Sequence, residues 1–169
     1  MSDKDKIKLF IVDDHAIVRQ GMKHILLQTQ DMVVVGEAEN GNQVLEQVGK
    51  IEIDVILMDI EMPGKSGWDT MLQLKAMHPN IKVIILSIFP EDHYGFRLLK
   101  ADAWGYLTKQ SAPEQMVEAI RKVARGGRFI SPALSEKLLC DMDRDKEKAP
   151  HEHLSEREFQ VFCMLASGK

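Results

Sequence analysis

Residues 56–69 read ILMDIEMPGKSGWD. An apolar run that begins at Val55 stops abruptly at the carboxylate of Asp59. Pro63–Gly64 then marks a turn, because proline presets one backbone angle and glycine tolerates the next. A helical pattern opens at Trp68 and runs to Met77. The apolar run is too short for a helix and reads as a strand over residues 54–58. It does not alternate polar with apolar, so both of its faces must be covered, as in a parallel sheet flanked by helices. An acid therefore stands at the carboxyl end of a buried parallel strand.

The same alternation repeats on both sides of this segment. Further strands are expected over residues 7–12, 32–37, 82–87 and 104–107, each rich in Val, Ile or Leu. Helices are expected over residues 15–28, 40–48, 68–77, 91–100 and 112–125. In the first of them Ile17, Val18, Met22, Ile25 and Leu26 fall at helical spacing. In the last, Pro113 suits the first turn and Gly126–Gly127 the stop. Five strand–helix units in succession predict a doubly wound α/β fold, a five-stranded parallel sheet of order 2-1-3-4-5. In such a fold functional groups gather beyond the carboxyl ends of the strands, near the switch point between strands 1 and 3.

Composition narrows the function. Apolar residues make up 44% of the 169, enough for a real core, and the formal net charge of −4 argues against nucleic-acid binding by bulk electrostatics. Two cysteines, Cys140 and Cys163, are too few for a disulfide framework or a zinc site and read as reduced thiols. The charged opening MSDKDKIKLF carries no apolar leader, and the apolar runs are far shorter than a membrane span. A cytoplasmic protein without a membrane partner is expected.

The strand ends carry chemistry. Asp13 and Asp14 follow strand 1, Asp59 strand 3, Ser87 strand 4 and Lys109 strand 5. Taken singly, these are ordinary residues: helix caps, a turn former, a strand-end hydroxyl, a surface lysine. The topology gathers all five at one sheet edge. Three carboxylates at close range repel unless a cation intervenes, and an all-oxygen set with open positions favours Mg²⁺. An ammonium and a hydroxyl beside them are what the oxygens of a phosphoryl group would need, and a carboxylate can itself become an acyl phosphate.

Val12–His15 (VDDH), residues 56–69, residues 85–87 (ILS) and residues 105–109 (GYLTK) together resemble the receiver domains of two-component response regulators. The resemblance spans residues 6–127, and the D-x-x-M-P-x-x-x-G segment from Asp59 to Gly67 is its most specific part. It implies that Asp59 accepts a phosphoryl group from a phosphohistidine of a sensor histidine kinase. Asp14, Asp13 and Asp59 would hold Mg²⁺ with the main-chain carbonyl of Glu61, while Lys109 and Ser87 would contact the phosphoryl oxygens. Tyr106 matches the aromatic switch, whose ring turns inward when the hydroxyl moves. On this reading the chain is a signalling receiver whose only catalysis is its own Mg²⁺-dependent phosphotransfer and dephosphorylation. Two departures stand out: Gln110 follows Lys109 where many receivers have proline, and Phe89 offers no polar group to position a hydrolytic water.

Residues 1–130 are accordingly expected to form the receiver and residues 131–152 a linker with a short helix. Residues 153–169, HLSEREFQVFCMLASGK, resemble the opening of a LuxR-type helix-turn-helix domain, through Leu154, Ser155, Arg157, Glu158, Val161, Leu165, Ala166 and Gly168. Ser155 and Glu158 also form a capping box, a physical reason for a helix there. This places the chain near the NarL/FixJ group. The implied partner is DNA for an intact protein but not for this stretch, which lacks a recognition helix. Phosphorylation would govern homodimerisation or release of the DNA-binding part. Rival readings are a Mg²⁺-dependent phosphatase or phosphotransferase acting on metabolites, a flavodoxin-like cofactor binder, and an interaction module that is never phosphorylated. The acids at 13 and 14 oppose the second, because they would repel a phosphate where that fold needs a glycine-rich loop.

Overall fold

The computed structural model describes residues 6–91, 97, 101–131, 135, 136, 158 and 161. Along the chain run β1 (Ile7–Val12), α1 (Ala16–Leu27), β2 (Met32–Ala38), α2 (Gly41–Gln47), β3 (Val55–Asp59), α3 (Gly67–Met77), β4 (Lys82–Ser87), β5 (Gly105–Thr108) and α4 (Pro113–Ala124). The strands form a parallel sheet in the order β2-β1-β3-β4-β5, as the repeated units require. The helix expected over residues 91–100 falls largely outside the described residues, as do both cysteines and most of residues 132–169.

The sheet is buried on both sides because its central strands carry unbroken apolar runs, Leu9–Val12, Val55–Met58 and Val83–Leu86. Side chains alternate across a strand, so Leu9 and Ile11 of β1 join Val55, Leu57, Ile84, Leu86 and Leu107 on one face. Met22 and Leu26 of α1 and Met116, Ile120 and Val123 of α4 complete that layer. Phe10, Val12, Ile56, Met58, Val83 and Ile85 belong to the opposite face and are fully buried. Val44 of α2 and Met71 and Leu74 of α3 are equally inaccessible. Each large aliphatic side chain removed from water contributes about 2 kcal/mol, which makes these two layers the main source of stability.

α1 departs from the expected apolar stripe. Its buried residues are Arg19, Met22 and Leu26, and Ile17 is 84% exposed. Helix starts follow local chemistry more closely: Asn40 and Ser66 accept hydrogen bonds from the amides of Gln43 and Asp69, capping α2 and α3.

The chain divides into two compact units, Met1–Ile130 and Ser131–Lys169. The first closes with a short pairing of Phe129 against β5. The Phe129 amide donates to the Trp104 carbonyl at 2.9 Å, and its own carbonyl accepts from the Tyr106 amide at 3.3 Å. In the second unit, Ser135 bonds back to the Ser131 carbonyl through its amide and its hydroxyl. Glu158 and Val161 are helical.

α3 begins hard against the end of β3. The Gly67 amide donates to the Ile60 carbonyl at 3.0 Å, and a Cβ at Gly67 would overlap the carbonyl oxygen of Asp59. That neighbour is backbone and cannot yield cheaply. Gly67→Ala is expected to cost about 2 kcal/mol or more, whereas Gly21→Ala, where a Cβ meets open space in the middle of α1, should gain about 0.5–1 kcal/mol. Urea denaturation midpoints of the two variants check both signs.

Candidate functional site

β1 and β3 lie side by side, so the residues that follow them rise together. Asp13 directly follows Val12, whose pairing partner on β3 is Met58, and Asp59 is the last residue of its strand. Both are buried among apolar neighbours, each 0% exposed. Lys109 follows β5, and its amide donates to the Ser87 carbonyl at 2.7 Å, which draws its side chain toward the centre of the edge.

The ammonium of Lys109 sits 2.8 Å from Oδ2 of Asp59 and 2.8 Å from Oδ2 of Asp13. Oδ1 of Asp59 accepts the Glu61 amide at 3.0 Å, and Oδ1 of Asp13 accepts the His15 amide at 2.8 Å. Asp14 is partly open to solvent, with Oδ1 2.8 Å from Nδ1 of His15, and it lines a cleft with Asn40, Pro63, Gly64 and Lys65. Asp13, Asp14, Asp59 and His15 present ligand atoms that all lie within 4.8 Å of one another. The donor set fits a hard divalent cation, since three carboxylates face a single ammonium.

Charge is expensive in this place. Burial pushes the Asp59 carboxyl up to about 6, outweighing the Lys109 ammonium and the Glu61 amide, which favour the ionised form, and the Asp13 charge pushes the same way as burial. Burial also works against the charge on Lys109, but its contacts with Asp13 and Asp59 prevail and hold the ammonium above its ordinary value.

The structure brings Asp13, Asp14, Asp59 and Lys109 together. Ser87 stands on the neighbouring strand, one residue past the Leu86 that pairs with Asp59. It is fully buried, and its hydroxyl accepts the Phe89 amide at 3.0 Å. Tyr106 already lies inside, 3% exposed, with its hydroxyl donating to the Phe89 carbonyl at 2.8 Å. The ring is thus inward while the Ser87 hydroxyl still serves the backbone. His15, expected only as a helix start, is the N-cap of α1 and also places its ring against both neighbouring acids. The consecutive D-D-H at the strand end was the available signal. Arg19 was missed altogether: its charge masked its place in a buried stripe.

A doubly wound α/β unit thus carries, at its switch point, an acid cluster that could hold a metal ion, with one lysine beside it. The response regulator receiver domain family matches residues 9–121, and the chain belongs to that family. It is 39% identical over 162 residues to the response regulator GacA of Pseudomonas aeruginosa, covering 95% of this chain and 76% of the relative. The isolated REC domain of RcsB from Salmonella enterica serovar Typhimurium, in the presence of the phosphomimetic BeF3-, superposes with a TM-score of 0.71 at 27% identity. That match covers 78% of this chain and 97% of the other. The response regulator RcsB in its DNA complex matches with a TM-score of 0.72 at 27% identity, over 97% of this chain and 78% of that one.

A pH dependence follows from Asp59. Its folded value lies above that of an unfolded aspartate, so its contribution to stability is complete below about pH 4 and is lost as pH rises through about 6. In chelator, the stability of wild type relative to Asp59→Asn should therefore fall by about 3 kcal/mol between roughly pH 4 and pH 7. Paired urea titrations across that range measure it. A flat difference would contradict it.

Proposed function

We propose that Asp59 is the phosphoacceptor of a two-component response regulator. One observation carries this reading: a buried carboxylate at the sheet edge, 2.8 Å from an ammonium that lies equally close to a second buried carboxylate. Its donor is a phosphohistidine on a sensor histidine kinase. An oxygen of Asp59 attacks phosphorus, the P–N bond breaks, and the imidazole leaves with the electron pair and takes up a proton.

Each neighbour has work in that step. Asp13, Asp14 and Asp59, with the Glu61 carbonyl, would hold Mg²⁺, which supplies charge neutralisation at the phosphoryl oxygens when bound. Lys109 has three N–H donors; one bonds Asp59, and the ammonium also lies 2.8 Å from Asp13, which leaves donor capacity for an incoming oxygen. Ser87 accepts from the Phe89 amide through its oxygen, so its own proton is available to a phosphoryl oxygen. Drawing that hydroxyl toward Asp59 disturbs Phe89, whose carbonyl Tyr106 holds. Ser87 and Tyr106 thereby form the switch, led by the hydroxyl rather than by entry of the ring. Phosphorylation biases a pre-existing equilibrium between two arrangements of this corner.

The chain serves as a cytoplasmic signalling receiver, with no chemistry beyond its own phosphorylation and dephosphorylation. Residues 131–152 form the linker, and residues 153–169 belong to a LuxR-type unit of the kind that regulates transcription on DNA. The complex formed by RcsB supports that part of the reading, and so does the family likeness to GacA.

Incubation with a small acyl-phosphate donor and Mg²⁺, followed by intact-mass measurement, tests the assignment. Wild type should gain one phosphoryl group and Asp59→Asn none; a gain by Asp59→Asn would overturn it. Sizing at two protein concentrations, before and after, reads any coupling to homodimerisation. Phe89 is buried and places no polar side chain near Ser87, so the phosphoryl group should persist well beyond a few seconds once the donor is removed. A lifetime of seconds would show that another group orients water.

A further inference from the structure

We propose that Arg19 is a positioning residue for the cation site: its guanidinium holds the Asp13 main-chain carbonyl and so aims the carboxylates of Asp13 and Asp14. The inference rests on the reading that those carboxylates bind a divalent cation.

Arg19 occupies the first place in the buried stripe of α1, ahead of Met22 and Leu26, and its side chain is only 8% exposed. A charge is kept in such a position only when it is paired. Nη2 donates to Oε1 of Glu39 at 2.9 Å, and Nε lies 3.5 Å from Oε2 of Glu37. Lys23 reaches the same Glu37 oxygen at 2.9 Å. Two positive and two negative charges cancel within this group. Little net charge is left to repel a cation, and what reaches the site is geometry.

That geometry passes through one peptide. The β1–β2 pairing ends at Val12 and Ala38, with a last bond from the Asp13 amide to the Ala38 carbonyl at 3.2 Å. The Asp13 carbonyl is served instead by Nη1 of Arg19 at 2.7 Å. The strand can therefore leave the sheet and turn into α1 with its carbonyl satisfied. Asp13 is held at its amide by β2, at its carbonyl by Arg19, at Oδ1 by the His15 amide and at Oδ2 by Lys109. Releasing the carbonyl frees the peptide between Asp13 and Asp14 to rotate, and both carboxylates swing with it. Partners that orient ligands in this way commonly set metal affinity within a factor of 10–100.

The test uses the full chain and Mg²⁺ itself. Calorimetric titration should show Mg²⁺ binding weakened roughly 10–100-fold in Arg19→Met. Arg19→Lys should fall between, because one ammonium can reach the Asp13 carbonyl but cannot span to Glu39 as well. Glu39→Gln, which keeps the buried arginine and weakens its anchor, should bind several-fold more weakly. Phosphoryl uptake from the acyl-phosphate donor should recover in all three at saturating Mg²⁺, a shift in apparent KM that a loss of fold would not produce. If Arg19→Met unfolds, the other two variants decide. Wild-type Mg²⁺ affinity in the folded variants overturns the assignment of Arg19 alone; failure of wild type to take up Mg²⁺ and phosphoryl overturns the proposed function beneath it.

Discussion

A single ammonium between two buried carboxylates organises this molecule. Lys109 sits 2.8 Å from both Asp13 and Asp59, neither of which touches solvent, and a third acid stands beside them. One positive charge cannot balance three negative ones at that distance in a low-dielectric setting. Burial, with the Asp13 charge a smaller contribution in the same direction, pushes the Asp59 carboxyl up to about 6 despite the ammonium. Such a cluster has much to gain from a divalent cation. The two apolar layers are what make it possible, because they bury the acids that water would otherwise calm.

Those layers were visible in the residues themselves. Unbroken apolar runs such as Val55–Met58 and Val83–Leu86 call for central, parallel strands, and the observed order and pairing agree with that. Strand boundaries shifted by one residue at most: Ala38, Asp59 and Thr108 join the ends of their strands, and Asp54 and Trp104 fall just before the starts of theirs. The approach of Asp13, Asp14, Asp59 and Lys109 was likewise readable, since a doubly wound sheet leaves few places for residues after strands 1, 3 and 5 to go.

What escaped depended on long side chains and on main-chain atoms. Ile17 has the spacing of a core residue and yet faces water, while Arg19 has the charge of a surface residue and is buried. Periodicity ranks residues by polarity, and the arginine is paired inside by Glu37 and Glu39, which lie far off in sequence, and by the main-chain carbonyl of Asp13, which carries no side-chain signal. Tyr106 is similar. Its place in the motif suggested a switch, but the inward ring is held at the Phe89 carbonyl, which follows another strand and leaves no mark in the local pattern.

The pairing of Phe129 with β5 bears on where this receiver ends. β5 is an outermost strand, and its free side would present a row of unmatched amides and carbonyls, the surface on which foreign strands add. Phe129 takes up two of those groups at Trp104 and Tyr106. An excised version trimmed to the last turn of α4 would keep all the elements from β1 to α4 and still uncover a template for intermolecular pairing beside Tyr106. The self-contained piece therefore extends through Ile130, and the few residues after α4 act as an edge guard rather than as spacer.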